Sequence, residues 1–392
     1  MLRRRKTLSV LAILGALLAK QSAGSIPSLW DMVCDNYVPG ESSNGTCPVP
    51  HRARGKILVH PNKILIFGGY GGHVPKSDVW TYNIETGTWR EDVRDWREES
   101  SNWTMECDEA SESRLPRTNP GAAYDSSGLV FIGSGTCRKS PTFEENASVP
   151  INDYWLYGPD SEKWSKTSSP STNPGVRDAP ATIWNLKIVV FGGYDIAAKA
   201  YSDMTWISNI FADPTDTDND NDNNNDKEHQ QRPKVTVVRS SEGNNAPAAR
   251  AHHSAVISGD FLYIFGGRNE THTFNDLWRF DIRTVTWKEM VPDNPEKAPS
   301  PRHSQAAALV PNASPDKGDL LMIFGGQSAD GTLLSDTHFY SFGQHLWSEL
   351  KGSESTPSPR KDSMMGCSKD GPCWLFGGET ESGFVNDFYM LY

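Results

Sequence analysis

Hydrophobic positions in this chain fall into short blocks, and the blocks recur. Runs of four or five apolar residues closed by a glycine pair appear as "ILIFGGYGG", "VVFGGYD", "YIFGGRN", "MIFGGQS" and "WLFGGET", and "LVFIGSGT" is a degenerate sixth copy. Such runs suit strands buried on both faces, and the glycines let the backbone turn sharply and pass close to a neighbour. Behind each run comes a polar break with Ser or Asn, then Asp, then aromatic or β-branched residues: "KSDVWTYN", "INDYWLYG", "YSDMTWIS", "FNDLWRFD", "LSDTHFYS" and "VNDFYMLY". That pattern predicts a loop feeding a strand whose aromatic side chains pack between sheets.

A third block usually follows, centred on Trp89, Trp164, Trp287 or Trp347, and "KVTVVRS" takes its place in the third copy. Ahead of each glycine pair lies a fourth block. It opens at Arg52, Arg117, Arg177, Arg250, Arg302 or Arg360 and runs through small residues, as in "RAHHSAVIS" and "PRHSQAAALV". Four strands per unit, six units, and small residues on the innermost strand predict an all-β fold with six blades around a central channel.

These residues resemble the kelch family of β-propellers. The likeness rests on Arg-x-x-His-Ser-Ala at Arg250 to Ala255, on Gly-Gly in five copies, and on Asp-x-Trp or Asp-x-x-Trp in four. It covers about residues 28–392 and departs from the pattern at Gly133-Ser134-Gly135 and at the missing outer tryptophan of the third copy. The last copy stops after its third strand, whereas "SLWDMV" near the N-terminus is an outer strand with no unit before it. The two ends are incomplete in complementary ways. The expectation is a six-bladed kelch-type propeller whose last blade is closed by the N-terminal strand, removing two open sheet edges.

Arg3, Arg4, Arg5 and Lys6 precede an apolar run from Leu8 to Leu18, and Ser22-Ala23-Gly24 supplies small residues for cleavage. Residues 1–24 thus read as a signal peptide and residues 25–392 as the propeller, in a secreted or secretory-lumen protein. The run is too short to anchor in a bilayer. Without residues 1–24 the chain has 33 basic and 49 acidic residues, a net charge of −16. Such acidity argues against nucleic acid and anionic membrane surfaces as general partners.

Six cysteines in an oxidising compartment favour three disulfides. On a propeller, Cys34 with Cys47, and Cys107 with Cys137, fall in one loop or in two loops of one face, and Cys367 with Cys373 flank a tight turn on the other. Glycosylation sequons stand at Asn44, Asn102, Asn146, Asn269 and Asn312, the last in a loop "NASPDKGD" of the second face. The tract at residues 212–231 has Asp218, Asp220 and Asp222, but Asn223 and His229 occupy the positions a calcium loop gives to Gly and Glu. It reads as a disordered acidic and Asn-rich insertion. No metal or cofactor site is expected.

The six arginines would begin the inner strands at one mouth of the channel. They suit an anionic ligand, or else pair with Asp78, Asp153, Asp203, Asp276, Asp336 and Asp387 of the third strands. Residues directly after the glycine pairs vary as a binding mouth would: Tyr70, Thr136, Tyr194, Arg268, Gln327 and Glu379. His252, His253 and His303 read as packing residues. No nucleophile and base announce themselves. The chain is therefore expected to be a monomeric recognition module for an extracellular protein, glycan or small anionic ligand. The alternative is a small-molecule enzyme, sialate mutarotase-like or, more distantly, galactose-oxidase-like.

Overall fold

The computed structural model describes residues 30–34, 47–71, 74–76, 78–93, 121–124, 130–133, 136–138, 148–150, 154–158, 163–167, 176–209, 235–239, 245–314, 318–351, 356–369 and 371–391. Residues 1–24, expected to be a signal peptide, the 212–231 tract, Arg117, Cys107, Asn44, Asn102 and Asn146 lie outside them. Regular structure among the described residues is strand, apart from one 3₁₀ turn at Pro295–Lys297, and no described helix is long and apolar enough to cross a membrane.

Each sequence unit forms one antiparallel sheet. The first holds Lys56–His60, Lys63–Phe67, Val79–Asn83 and Thr88–Val93. The second holds Gly121–Tyr124, Val130–Gly133, Tyr154–Gly158 and Lys163–Thr167. Ala181–Trp184, Lys187–Phe191, Met204–Asn209 and Val235–Arg239 make the third, so "KVTVVRS" does take the outer place. Ser254–Ser258, Phe261–Phe265, Leu277–Asp281 and Thr286–Glu289 make the fourth. The fifth comprises Ala306–Ser314, Gly318–Ser328, Leu333–Ser341 and Leu346–Leu350, with Arg302–His303 added beside Gly318–Ser328. Its inner strand continues through Ser314, so Asn312 sits in a strand rather than in the expected loop.

The inner strands lie side by side in chain order, and Met364–Cys367 also packs against Lys56–His60 of the first sheet. Crowding there explains the small residues: Ala306 and Ala308 are buried where sheets converge. Farther out the sheets diverge, and bulky side chains fill the wedge. Between the third and fourth sheets, Phe191 and Trp287 meet edge to face at 4.9 Å.

The last sheet unites distant parts of the chain. Met364–Cys367, Cys373–Thr380 and Gly383–Leu391 come from the C-terminal copy, and Trp30–Cys34 pairs antiparallel with Gly383–Leu391. Trp30 is fully buried, edge to face with Phe324 of the fifth sheet at 5.6 Å and with Tyr389 at 6.3 Å. The Cys34–Cys47 disulfide ties this strand to the segment entering the first sheet. The Asn386 side-chain amide donates to the carbonyls of Cys47 and Val49. Cys367–Cys373 staples the inner hairpin of the same sheet, and the Cys107–Cys137 expectation lies outside the described residues.

The glycine pairs join one sheet to the next. The first glycine takes φ of 61–66° at Gly192, Gly266, Gly325 and Gly377. A Cβ there would stand 2.4–2.7 Å from the carbonyl oxygen of Arg250, Arg302, Arg360 or Arg52, each in the following sheet. The second glycine donates its N–H to that same carbonyl at 2.8–2.9 Å. Only glycine allows both the left-handed backbone and the approach.

Trp30→Ala should destabilise the fold by about 3–5 kcal/mol, the range for emptying a large aromatic site. Chemical denaturation of the full chain measures this. An unchanged midpoint would mean that the N-terminal strand does not secure the last sheet.

Candidate functional site

Four of the six repeat arginines are structural. Arg52, Arg250, Arg302 and Arg360 are buried, and each forks onto an aspartate of its own sheet: Asp78, Asp276, Asp336 and Asp387. Arg302 shows the full pattern. Its Nη1 and Nη2 donate to the Asp336 carboxylate at 2.6 and 2.8 Å, and Nη1 also donates to the Gly325 carbonyl. Nε and Nη2 reach the carbonyl and hydroxyl of Ser300. All five guanidinium N–H groups have acceptors, and Arg360 repeats this with Asp387, Gly377 and Ser358. Such a guanidinium has no donor left for a ligand.

The aspartates are equally committed. Asp78 and Asp276 also accept from the indole N–H of Trp80 and Trp278, and Asp336 contacts His338 Nε2. This explains the Asp-x-Trp spacing, because alternate strand residues share a face. Burial alone would raise the Asp336 carboxyl. Hydrogen bonds from Arg302 and His338 and the charge of Arg302 outweigh it and hold the group well below the usual carboxylate range.

Arg177 departs from the expectation. It pairs with Tyr194 after the glycine pair, as Ala53 pairs with Tyr70 and Ala251 with Arg268. Those positions lie one residue past the structural arginine, so Val176, buried, occupies the arginine place in the third sheet. Arg177 therefore belongs to the mouth: its guanidinium lies over the Tyr194 ring at 4.8 Å, and Nε is 3.8 Å from Asp178. The Arg177–Asp203 pairing is thereby overturned, because the one-residue offset turns Arg177 toward Tyr194 and Asp178.

The same register gathers the residues after the glycine pairs. His303 pairs with Gln327 and Lys361 with Glu379, alongside the Tyr70, Tyr194 and Arg268 pairs. Arg268 is exposed, Tyr70 packs edge to face on Phe384, and Tyr194 does so on Tyr201. Lys361 Nζ is 3.6 Å from Glu379. Gln327 instead turns back to the Gly331 carbonyl. Thr136 begins a short strand in the second unit.

One position further on, Arg54, Asp178, His252, Ser304 and Asp362 all adopt φ of 56–60°. Left-handed backbone costs a non-glycine residue roughly 1–2 kcal/mol, and backbone bonds between sheets offset it. His252 N–H donates to Asp178, Ser304 to His252, Asp362 to Ser304 and Arg54 to Asp362, at 2.8–2.9 Å. Sequence reading missed this row. Its trace in the sequence is that the residue two past each buried arginine varies in charge.

Side chains of the row form a charged floor beneath the rim. Arg54 donates from Nε to Asp362 at 3.1 Å, and its Nη1 lies 3.9 Å from Asp178 of the third sheet. His252 Nε2 is 3.5 Å from Asp178 on the other side. The Asp362 charge raises the Arg54 pKa, while burial lowers His252 and brings His303 down to about 4. His253 is a packing residue, as expected. It lies edge to face with Phe191, and burial pulls its pKa down to about 3.

Comparison with known proteins agrees with this geometry. A family description, "KLHDC2/KLHL20/DRC7 Kelch-repeats domain", matches residues 122–314, and "Kelch motif" matches residues 51–91. Human "Kelch domain-containing protein 1" is 24% identical over 88% of this chain and 81% of its own length. Bovine "Kelch domain-containing protein 2" is 22% identical over 87% and 79%. The Drosophila melanogaster "Leucine-zipper-like transcriptional regulator 1 homolog" is 24% identical over 77% of this chain but only 27% of itself. The architecture is a β-propeller of the sort kelch repeats build, and such a domain suggests a protein-interaction module. The chain belongs to the kelch-repeat family.

Buried histidines give a pH prediction. His253 has a folded pKa of about 3 against an unfolded 6.5, so unfolding takes up a proton between those values. Stability should fall as pH drops from 6.5, by up to about 1.4 kcal/mol per pH unit for this one group. Denaturant midpoints from pH 7 to pH 4 should decline less steeply in His253→Gln. Equal slopes would remove His253 as the cause.

Proposed function

We propose that this chain is a secreted recognition module, a closed six-bladed ring that binds an anionic segment of a partner at one mouth of its channel. The succession of inner strands and the Trp30–Cys34 pairing support six blades and closure. The N-terminal basic, apolar and small-residue order, with cysteine pairs at bonding distance, supports secretion.

One observation carries the binding reading: the arginines divide into two groups. Arg52, Arg250, Arg302 and Arg360 are buried and committed to aspartate, whereas Arg268 is exposed on the rim. Around it stand Arg177, Lys361 and Arg54, with Tyr70 and Tyr194 as apolar walls. Those three cations each stand beside a carboxylate, so the exposed Arg268 adds positive charge at the mouth that favours an anion. Names of the relatives and the kelch domain itself support a protein as the partner. A glycan at Asn269, one residue past Arg268, would leave a narrow entry open while crowding a broad flat contact.

The test is a binding screen of residues 25–392 against Asp/Glu-rich peptides and sialylated or sulfated glycans. Arg268→Ala should weaken the best binder about tenfold, the worth of one charge-assisted hydrogen bond, with the melting temperature unmoved. Arg302→Ala should do the reverse, lowering the melting temperature by leaving Asp336 without its partner. Undiminished binding by Arg268→Ala, Arg177→Ala and Lys361→Ala alike would place the site elsewhere.

A further inference from the structure

We infer that Arg54 and His252, on the floor of the mouth, form a proton-coupled oxyanion receptor, in which the anion and a proton enter together. This rests on the mouth being the binding site, and it concerns residues that neither the repeat pattern nor the rim identifies.

Arg54 differs from the structural arginines in the same strands. Its hydrogen bond runs from Nε to Asp362, and among the described residues Nη1 and Nη2 have no hydrogen-bond acceptor, the Asp178 carboxylate being 3.9 Å away. The side chain keeps 34% of its exposure although its carboxylate partners Asp178 and Asp362 keep only 6% and 8%. A guanidinium fixed at one edge and open at the other presents a planar fork to a carboxylate or sulfate. Arg54 belongs to the first sheet, Asp362 to the last and Asp178 to the third, so the fork is held from several sides. Geometry of this kind costs little further ordering when an anion arrives.

His252 supplies the proton. It stands 3.5 Å from Asp178, with its ring 5.9 Å from that of His303 in the next sheet. The charged groups facing His252 are Asp178, Arg54, Asp362 and Arg268, and those facing His303 are Arg268, Asp362 and Lys361. Burial keeps both imidazoles neutral near pH 7 in the empty site, at His252 against the opposing charge of Asp178 and at His303 with help from Arg268. A neutral imidazole offers at most one N–H, and Asp178 competes for it. An anion on Arg54 offsets the Arg54 charge felt at His252 and rewards a second N–H. The imidazole then takes one proton from solvent, donating to Asp178 on one side and to the anion on the other. No bond other than N–H forms, and one proton is taken up per anion bound.

Linkage gives the test. Inorganic sulfate is a suitable probe, because its own charge does not change between pH 5 and pH 8. Calorimetric titration of residues 25–392 should show sulfate affinity rising as pH falls, approaching tenfold per unit where uptake is complete. Repeating it in buffers of different ionisation enthalpy should show proton uptake approaching one. In the NMR titration of the unmodified protein, the His252 ring signals should move to a higher pKa as sulfate is added. His252→Gln should flatten the pH dependence while retaining weak binding, and Arg54→Gln should abolish binding. Binding that is pH-independent, without proton uptake or a His252 shift, overturns this receptor and leaves the mouth reading standing. Sulfate bound equally by both variants overturns it as well. Absence of binding by sulfate, acidic peptides and acidic glycans at every pH overturns both readings.

Discussion

Four of the sheets in this fold are organised around one buried arginine each. Its guanidinium joins the Asp of the third strand to the first glycine carbonyl of its own sheet, so inner and middle strands are fixed together. Its backbone carbonyl receives the glycine N–H of the preceding sheet. One residue thus sets both the internal geometry of a sheet and its docking to a neighbour. A buried ion pair seldom adds net stability over apolar packing, but deleting one partner leaves an uncompensated charge. The pattern is best understood as a constraint on geometry, with aromatic burial supplying most of the driving force. The third sheet makes the point by exception: Val176 replaces the arginine there, yet its four strands still pair in the common order.

Sheet number and strand order were legible because each repeat keeps residues with strong local meaning. An apolar run with Gly-Gly, an Asp before aromatics and a centred tryptophan each dictate one element. The complementary ends were legible for the same reason, since "SLWDMV" carries the outer-strand pattern without its unit. Register was harder. Arg177 looks like the other arginines in a string of letters, and only its pairing with Tyr194 places it one residue late. A one-residue offset reverses the side of a strand, which separates Arg177 from the four aspartate-bound arginines.

The floor residues were illegible for a different reason. Arg54, Asp178, His252, Ser304 and Asp362 share a backbone shape and no chemistry. Backbone bonds between sheets impose that shape whatever the side chain, so the repeat leaves chemistry there unconstrained. The structural frame and the variable mouth are therefore separated by only two residues, as Arg52 and Arg54 demonstrate within one strand entry. Change at the second position costs the frame little, which is how one architecture can serve many ligands.

The pairing of Trp30 with Leu391 also sets an order of events during synthesis. The strand bearing Trp30 leaves the ribosome well before its partner, which lies beyond all the intervening sheets in the chain. Until then its indole has no apolar pocket, and the nascent chain must carry a sticky, edge-forming segment while those sheets are made. Loop-closure entropy grows only slowly with the length spanned, so the final join is not forbidden by distance. Its hazard is capture by another chain in the meantime, the characteristic risk of folds completed by distant pairing. The Cys34–Cys47 bond shortens that exposure, because it needs only local sequence to form and fixes the waiting strand beside the entry to the first sheet.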